Sequence, residues 1–409
     1  MLRTHRAARP SHPRSDVTHT DARPHQLPAL TGYRFFLALT VATVHLIFTS
    51  QLFADDALQL GLGLTTPLAS AALATFFTLS GFVLTWSAPA GDTARRFWRR
   101  RFWKIVPLHA LAWGVAVAFV LIATAPSPVS GFSADLEPGP AVASLFLVQG
   151  WVPSWDYLFY LNAPAWSIST EAFFYLLFPL LLPLVLRIPT ERLWRWCLAI
   201  VGGILLISAL SPLLPGAPQL SWLPFNLNEY WFVYTFPPVR LLNFLLGMVL
   251  ARIVQAGRWR RVARWKLITG TILAFLVTPM LPFTFIFSAA LFLPLFALVA
   301  NLAQADLEGR GRVLRSRALV MLGDASYALY IIHFPIMLII RHLVGADQRF
   351  GAGAGFLIAG AMLLASTAVA VGLYRWVEEP LRRRYAKART AGRRPDLDSG
   401  PATVLHQQA

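Results

Sequence analysis

Apolar residues in this chain run in blocks of about twenty, separated by short polar stretches that hold most of the charge. Residues 105–123, 166–186 and 356–374 approach or reach the roughly 20 residues that a helix needs to cross the hydrocarbon of a bilayer. The pattern predicts an all-α, polytopic membrane helical bundle. Followed along the chain, spans fall near 31–52, 67–86, 105–125, 166–186, 196–214, 237–255, 267–281, 284–303, 319–341 and 355–376, about ten in all. Pro282 marks a tight turn between the seventh and eighth. The stretch 141–165 is apolar but too short and too rich in Pro and aromatic residues for a further crossing, so it reads as an outer interfacial or re-entrant segment.

Composition and charge sharpen this picture. Hydrophobic residues make up 56% of the 409 positions and charged residues only 13%, which argues against soluble domains. A net charge of +17 raises nucleic acid as a partner, but the positions of the charges point elsewhere. Arg and Lys gather at 95–104, 187–195, 252–266 and 310–317, between alternate spans, while the other loops carry almost none. This is the positive-inside pattern of a membrane protein. It predicts no nucleic-acid partner and puts both termini in the cytoplasm. The chain divides into a disordered cytoplasmic tail at 1–29, a membrane unit at 30–385 and a second disordered tail at 386–409. The tail histidines His5, His12, His19 and His25 have no metal-site spacing, and no zinc pattern occurs elsewhere. Cys197 is the sole cysteine, so no internal disulfide forms.

Ionisable groups inside spans are costly and normally face a protein interior or a wet cavity. Among them here are Arg34, His45, Glu171 and His333. With a rise of about 1.5 Å per residue, His45, Glu171 and His333 all fall roughly 8–12 Å below the outer surface, and Arg34 lies about 16 Å below His45 on the same helix. A polar tunnel from the cytoplasm to an outward-facing site would connect them.

The motifs LTGYRFFLALTVATVH (30–45), FFTLSGFVL (76–84), RFWKIVP (101–107), WSISTEAFFYLLFP (166–179), RLLNFLLGM (240–248), LGDASYALYIIHFP (322–335) and VEEP (377–380) occur in an order and spacing that resembles the membrane-bound acyltransferase-3 family. The resemblance runs over about residues 29–385. It implies ten core spans and transfer of an acyl group, most often acetyl, from acyl-CoA to hydroxyls of sugars, cell-envelope polysaccharides or macrolides. It also implies a donor site at Arg34, Arg101 and Lys104 and an essential histidine at His45. One position departs from the family: a second arginine is usual where Lys104 stands, and lysine lacks the planar fork that grips phosphate bidentately.

Acyl transfer to an alcohol needs a base, and histidine near its ordinary pKa suits that role. The expectation is His45 as base and Glu171 as the carboxylate that orients or stabilises its imidazolium. His333, Ser326, Tyr330 and Arg240 are supporting or substrate-binding candidates, with His109 and Asp324 as further polar positions without roles. Each has a structural reading beside the functional one. His45 and His333 also fit as polar glue between helices, Glu171 as a first-turn carboxylate beside Ser167 or Ser169, and Arg34 as a side chain snorkelling to headgroups. A rival class is a transporter or flippase of a polar lipid or sugar that uses the same ionisable groups as a proton relay. No inverted repeat supports it. The acceptor, the acyl chain length and the oligomeric state are not legible in the sequence.

Overall fold

A computed structural model of the chain describes residues 26–123, 136–216, 225–286 and 291–386. The four tail histidines and most of both tails lie outside the described residues. Those residues build an all-α bundle around ten principal helices: α1 (Pro28–Val44), α2 (Thr66–Trp86), α3 (Ala94–Ile122), α4 (Trp166–Leu186), α5 (Leu193–Leu210), α6 (Pro237–Gln255), α7 (Arg264–Val277), α8 (Phe292–Leu307), α9 (Ser326–Leu343) and α10 (Ala352–Leu373). Among the described residues, eight helical segments are long and apolar enough to cross a membrane; α7, α8 and their short neighbours are not among them. The predicted spans 166–186 and 237–255 coincide with α4 and α6. That at 319–341 is broken after the short helix Arg317–Asp324; within that at 284–303 the described helices are Phe283–Ile286 and α8. The stretch 141–165 folds into short pieces, Pro138–Leu145, Gln149–Trp151, Trp155–Leu158 and Ala163–Ala165, the last running on into α4.

Burial separates core helices from peripheral ones. The segments containing α2 and α9 are 78% buried, whereas that of α10 is 22% buried, so α2 and α9 lie within the bundle and α10 lies at its edge. The α2–α6 contact is made by glycines. A Cβ on Gly247 would stand 1.8 Å from the Thr78 carbonyl oxygen, and one on Gly81 2.0 Å from that of Phe244. In lipid, where no hydrophobic force drives helices together, such small residues let backbones approach and gain dispersion contact. Gly323 plays the same part where the helix Arg317–Asp324 meets Thr31 of α1, and Gly32 of α1 lies against the Leu314 carbonyl just before that helix.

Prolines inside helices free carbonyls that hydrocarbon would leave unpaired, and at two of them a side chain from a neighbouring element takes the carbonyl up. Pro179 in α4 removes the partner of the Tyr175 carbonyl, which accepts instead from Trp98 Nε1 at 3.1 Å. Pro335 in α9 does the same to Ile331, whose oxygen accepts from Asn162 Nδ2 at 2.8 Å. The latter bond anchors the outer segment to the helix beside His333. At the Arg-rich end, the buried Asp306 carboxylate accepts from the first backbone amides of α1, Ala29 at 2.9 Å and Leu30 at 3.3 Å, supplying the cap that the sequence before Pro28 lacks.

Candidate active site

His45 lies where α1 gives way to a π-helical turn, His45–Thr49, a wider winding that often accompanies function because it rotates side chains out of the regular helical register. Its Nδ1 is 2.9 Å from Nε2 of His333 on α9, and the two rings are nearly parallel with centroids 5.2 Å apart. The other nitrogen of His333, Nδ1, is 3.1 Å from the Leu329 carbonyl oxygen. A carbonyl only accepts, so His333 Nδ1 carries the hydrogen and its Nε2 is the acceptor. His45 Nδ1 must then donate. The chain of bonds leaves His45 Nε2 with a free lone pair, the tautomer a general base requires. His333 is fully buried and His45 partly exposed, so the pair has one anchored and one accessible member.

Glu171 is placed differently from expectation. Its Oε1 accepts from Ser80 Oγ at 3.1 Å and from the Tyr175 hydroxyl, and no described hydrogen bond joins it to His45. The orienting partner of His45 is His333. Ser80 and Tyr175 were not singled out from the sequence, although both stand inside its quoted motifs; their role depends on which faces of α2 and α4 meet.

Glu171, Ser80 and Tyr175 line a chamber with Arg34, Arg101, Lys104, Ser167, Ser326 and Tyr330. A second cavity at the Arg-rich end shares Arg34, Arg101 and Lys104 and adds Arg100, Arg382, Arg383, Asp324, Glu378 and Glu379. The three cations predicted to hold the donor therefore converge where the cavities meet. Arg101 lies 5.6 Å from the ring centres of both Phe97 and Tyr175, which hold the guanidinium between α3 and α4. Glu378 is almost wholly buried and its Oε2 has no hydrogen-bond partner among the described residues.

The chamber stops short of the histidines. Tyr330 closes that side: its hydroxyl is 2.6 Å from Ser167 Oγ, and its ring centre is 6.0 Å from that of His333. Ser326, one turn below Tyr330, presents a buried hydroxyl with no described partner to the chamber. Arg240 lies elsewhere. It is buried against Tyr234, with Nε donating to that residue's carbonyl at 2.7 Å and the guanidinium 5.0 Å from its ring centre. His109 donates through Nε2 to the Ser144 carbonyl at 3.0 Å and ties α3 to the outer segment. Among the described residues no cluster of three or more His, Cys, Asp or Glu could hold a metal ion.

With this geometry in view, the comparison with known proteins is decisive: the family model described as an acyltransferase domain matches residues 27–375. The chain belongs to the membrane-bound acyltransferase-3 family. It is an acyltransferase and a multi-pass protein of the plasma membrane. Among acyltransferase-3 relatives, acyltransferase MdmB of Streptomyces mycarofaciens is 38% identical over 386 residues, covering 93% of this chain and 98% of that protein. The exopolysaccharide production protein ExoZ of Rhizobium meliloti is 28% identical over 326 residues, 78% of this chain and 91% of that one. The O-acetyltransferase OatA of Staphylococcus aureus is 25% identical over 391 residues, 89% of this chain but 58% of OatA. No solved structure matches the chain.

Proposed function

We propose that this acyltransferase moves an acyl group, acetyl above all, from acyl-CoA to a hydroxyl of a carbohydrate, a cell-envelope glycan or a glycosylated metabolite. The relatives named for exopolysaccharide production and O-acetyl transfer support the acceptor class and the acyl group. The observation that carries the mechanism is the bond from His45 to His333, which leaves His45 Nε2 free to take a proton.

On this reading the CoA phosphates rest against Arg34, Arg101 and Lys104, whose charges meet at the junction of the two cavities. His45 Nε2 removes the acceptor's hydroxyl proton as that oxygen attacks the thioester carbonyl. The carbon–sulfur bond then breaks, and the thiolate takes the same proton back from Nε2, giving an ester and free CoA. His333 holds the tautomer and, as acceptor of Nδ1–H, steadies the imidazolium formed in between. Glu171, fixed by Ser80 and Tyr175, acts on the donor side of the chamber rather than on His45.

The membrane arrangement that fits is ten crossings within a single unit at 30–385, with α7 and α8 as the two short spans and both polar tails in the cytoplasm. The Arg-rich end then faces the cytoplasmic pool of acyl-CoA, as the positive-inside pattern requires. Purified protein in nanodiscs, given labelled acetyl-CoA without any gradient, should release CoA thiol and form acyl product. A correctly inserted His45→Ala variant that turns over at the wild-type rate would overturn the assignment of the base.

A further inference from the structure

We propose that Arg341 is a positioning residue that sets the orientation of His45 through the backbone of Ser50; the inference rests on the reading of His45 as the base. Arg341 lies in the last turn of α9, about 12 Å above His333 on the same helix. It is only 1% exposed. Its guanidinium reaches three carbonyls: Nη1 donates to Gly345 at 2.5 Å, Nη2 to Gln348 at 2.5 Å and Nε to Ser50 at 3.2 Å. The first two belong to the loop that follows α9, and a basic residue closing its own helix in this way is ordinary. The third is not explained by that role, because Ser50 belongs to the other end of the chain.

Ser50 ends the turn that begins at His45. Its amide donates to the His45 carbonyl at 3.1 Å, and its hydroxyl donates to the Leu46 carbonyl at 2.7 Å. The next residue, Gln51, has φ of 54°, a left-handed conformation that a residue with a Cβ adopts only where its surroundings enforce it. A π turn and a left-handed exit both disfavour the regular helix, so something must hold them. Arg341 does so from the helix that also carries His333. One rigid element thus fixes both the acceptor ring and the backbone behind the donor ring, which keeps the His45–His333 bond at 2.9 Å.

Burying a guanidinium near hydrocarbon is costly, and a residue needed only as a cap has no reason to be enclosed. Arg349 supplies the contrast. It ties the same loop to Phe53 through Nε at 2.8 Å and to Asp56 at 2.6 Å, with its side chain 40% exposed and no described contact to the turn that carries His45.

The test uses Arg341→Met, Arg341→Lys and Arg349→Met in the full-length protein in nanodiscs. Release of CoA thiol from acetyl-CoA gives kcat and KM, and nitrogen-15 NMR of histidine-labelled protein, with the His45 signals assigned by their loss in His45→Ala, reports the ring tautomer. Arg341→Met should lower kcat by about 10²-fold, the usual scale for a small misplacement of a catalytic group, with KM for acetyl-CoA nearly unchanged and the single His45 tautomer lost. Arg341→Lys should fall between, and Arg349→Met should match the wild type in both readouts. Wild-type kcat and tautomer in Arg341→Met would overturn the proposal, as would equal losses in Arg349→Met. If Arg341→Met is not recovered folded, Arg341→Lys decides by the same two readouts. Full turnover in His45→Ala would remove the base assignment instead, while the tautomer measurement would still show whether Arg341 orients the ring.

Discussion

Removing His333 tests the proposed base at its support rather than at its centre. In His333→Ala the His45 Nδ1–H loses its fully buried acceptor, and nothing then selects the tautomer that leaves Nε2 free. The lost bond becomes charge-assisted once His45 is protonated, and bonds of that kind contribute about 1.5–3 kcal/mol. At about 1.4 kcal/mol per factor of ten, kcat should fall by about 10- to 150-fold. That is less than the ~10²–10⁴-fold expected from deleting the base itself. His333→Gln keeps an acceptor oxygen in reach and should lose less than His333→Ala, so the order is wild type, Gln, Ala, then His45→Ala. The assay is steady-state release of CoA thiol from acetyl-CoA in nanodiscs, with gel filtration to confirm folding. Wild-type kcat in folded His333→Ala would refute the supporting role of His333.

Lys104→Arg supplies a planar, bidentate donor at this position and should lower KM for acetyl-CoA by about threefold to tenfold, roughly one ordinary hydrogen bond, with kcat little changed. Unchanged or higher KM would show that Lys104 does not meet the phosphates. Gly247→Ala brings a methyl 1.8 Å from the Thr78 oxygen, so α2 and α6 must part. Overpacking of this kind costs about 1–3 kcal/mol, visible as a lower melting temperature in detergent; an unchanged melting temperature would mean that the interface is looser than described. Asn162→Ala leaves the Ile331 carbonyl below Pro335 without its donor, and should cost about 1–3 kcal/mol. The loss should be absent when Pro335 is also replaced by Ala, since the restored amide re-pairs Ile331.

Much of the bundle was legible because lipid imposes length and charge rules that show directly in sequence. The bounds of α4 and α6 follow from apolar run length, and the segment at 141–165 failed to reach a crossing length, as its short helices reflect. The split after Asp324 was not legible, because hydropathy does not report where a helix changes direction. At the site, His45 and His333 stood out because charge-bearing groups are rare in such runs, and a common depth suggested their meeting. Glu171 shared that depth, yet depth leaves the angle around each helix open, and on α4 the carboxylate faces Ser80 and Tyr175. Arg341 escaped notice because a basic residue near a helix end is common, and only its burial and its bond to Ser50 distinguish it.

The placement of Tyr330 bears on why transfer would prevail over hydrolysis. On the proposed reading, donor phosphates and base are separated by about 16 Å along α1, a distance that the pantetheine arm of CoA has to cover. Tyr330, tied to Ser167 at 2.6 Å, stands between the chamber and His333, so the thioester reaches the base only when that bond gives way or the arm passes beside it. A thioester held below Tyr330 is kept from the activated base, and water that enters the chamber from the Arg-rich end meets the donor without it. Hydrolysis then requires water at His45 itself, the position that the acceptor hydroxyl occupies. Tyr330→Phe keeps the ring and its packing against Phe76 but removes the tie to Ser167. The rate of acetyl-CoA hydrolysis without acceptor should therefore rise in that variant by about fivefold to tenfold, the equivalent of one neutral hydrogen bond of about 1 kcal/mol. A hydrolysis rate equal to that of the wild type would show that the Ser167–Tyr330 bond does not limit access to His45.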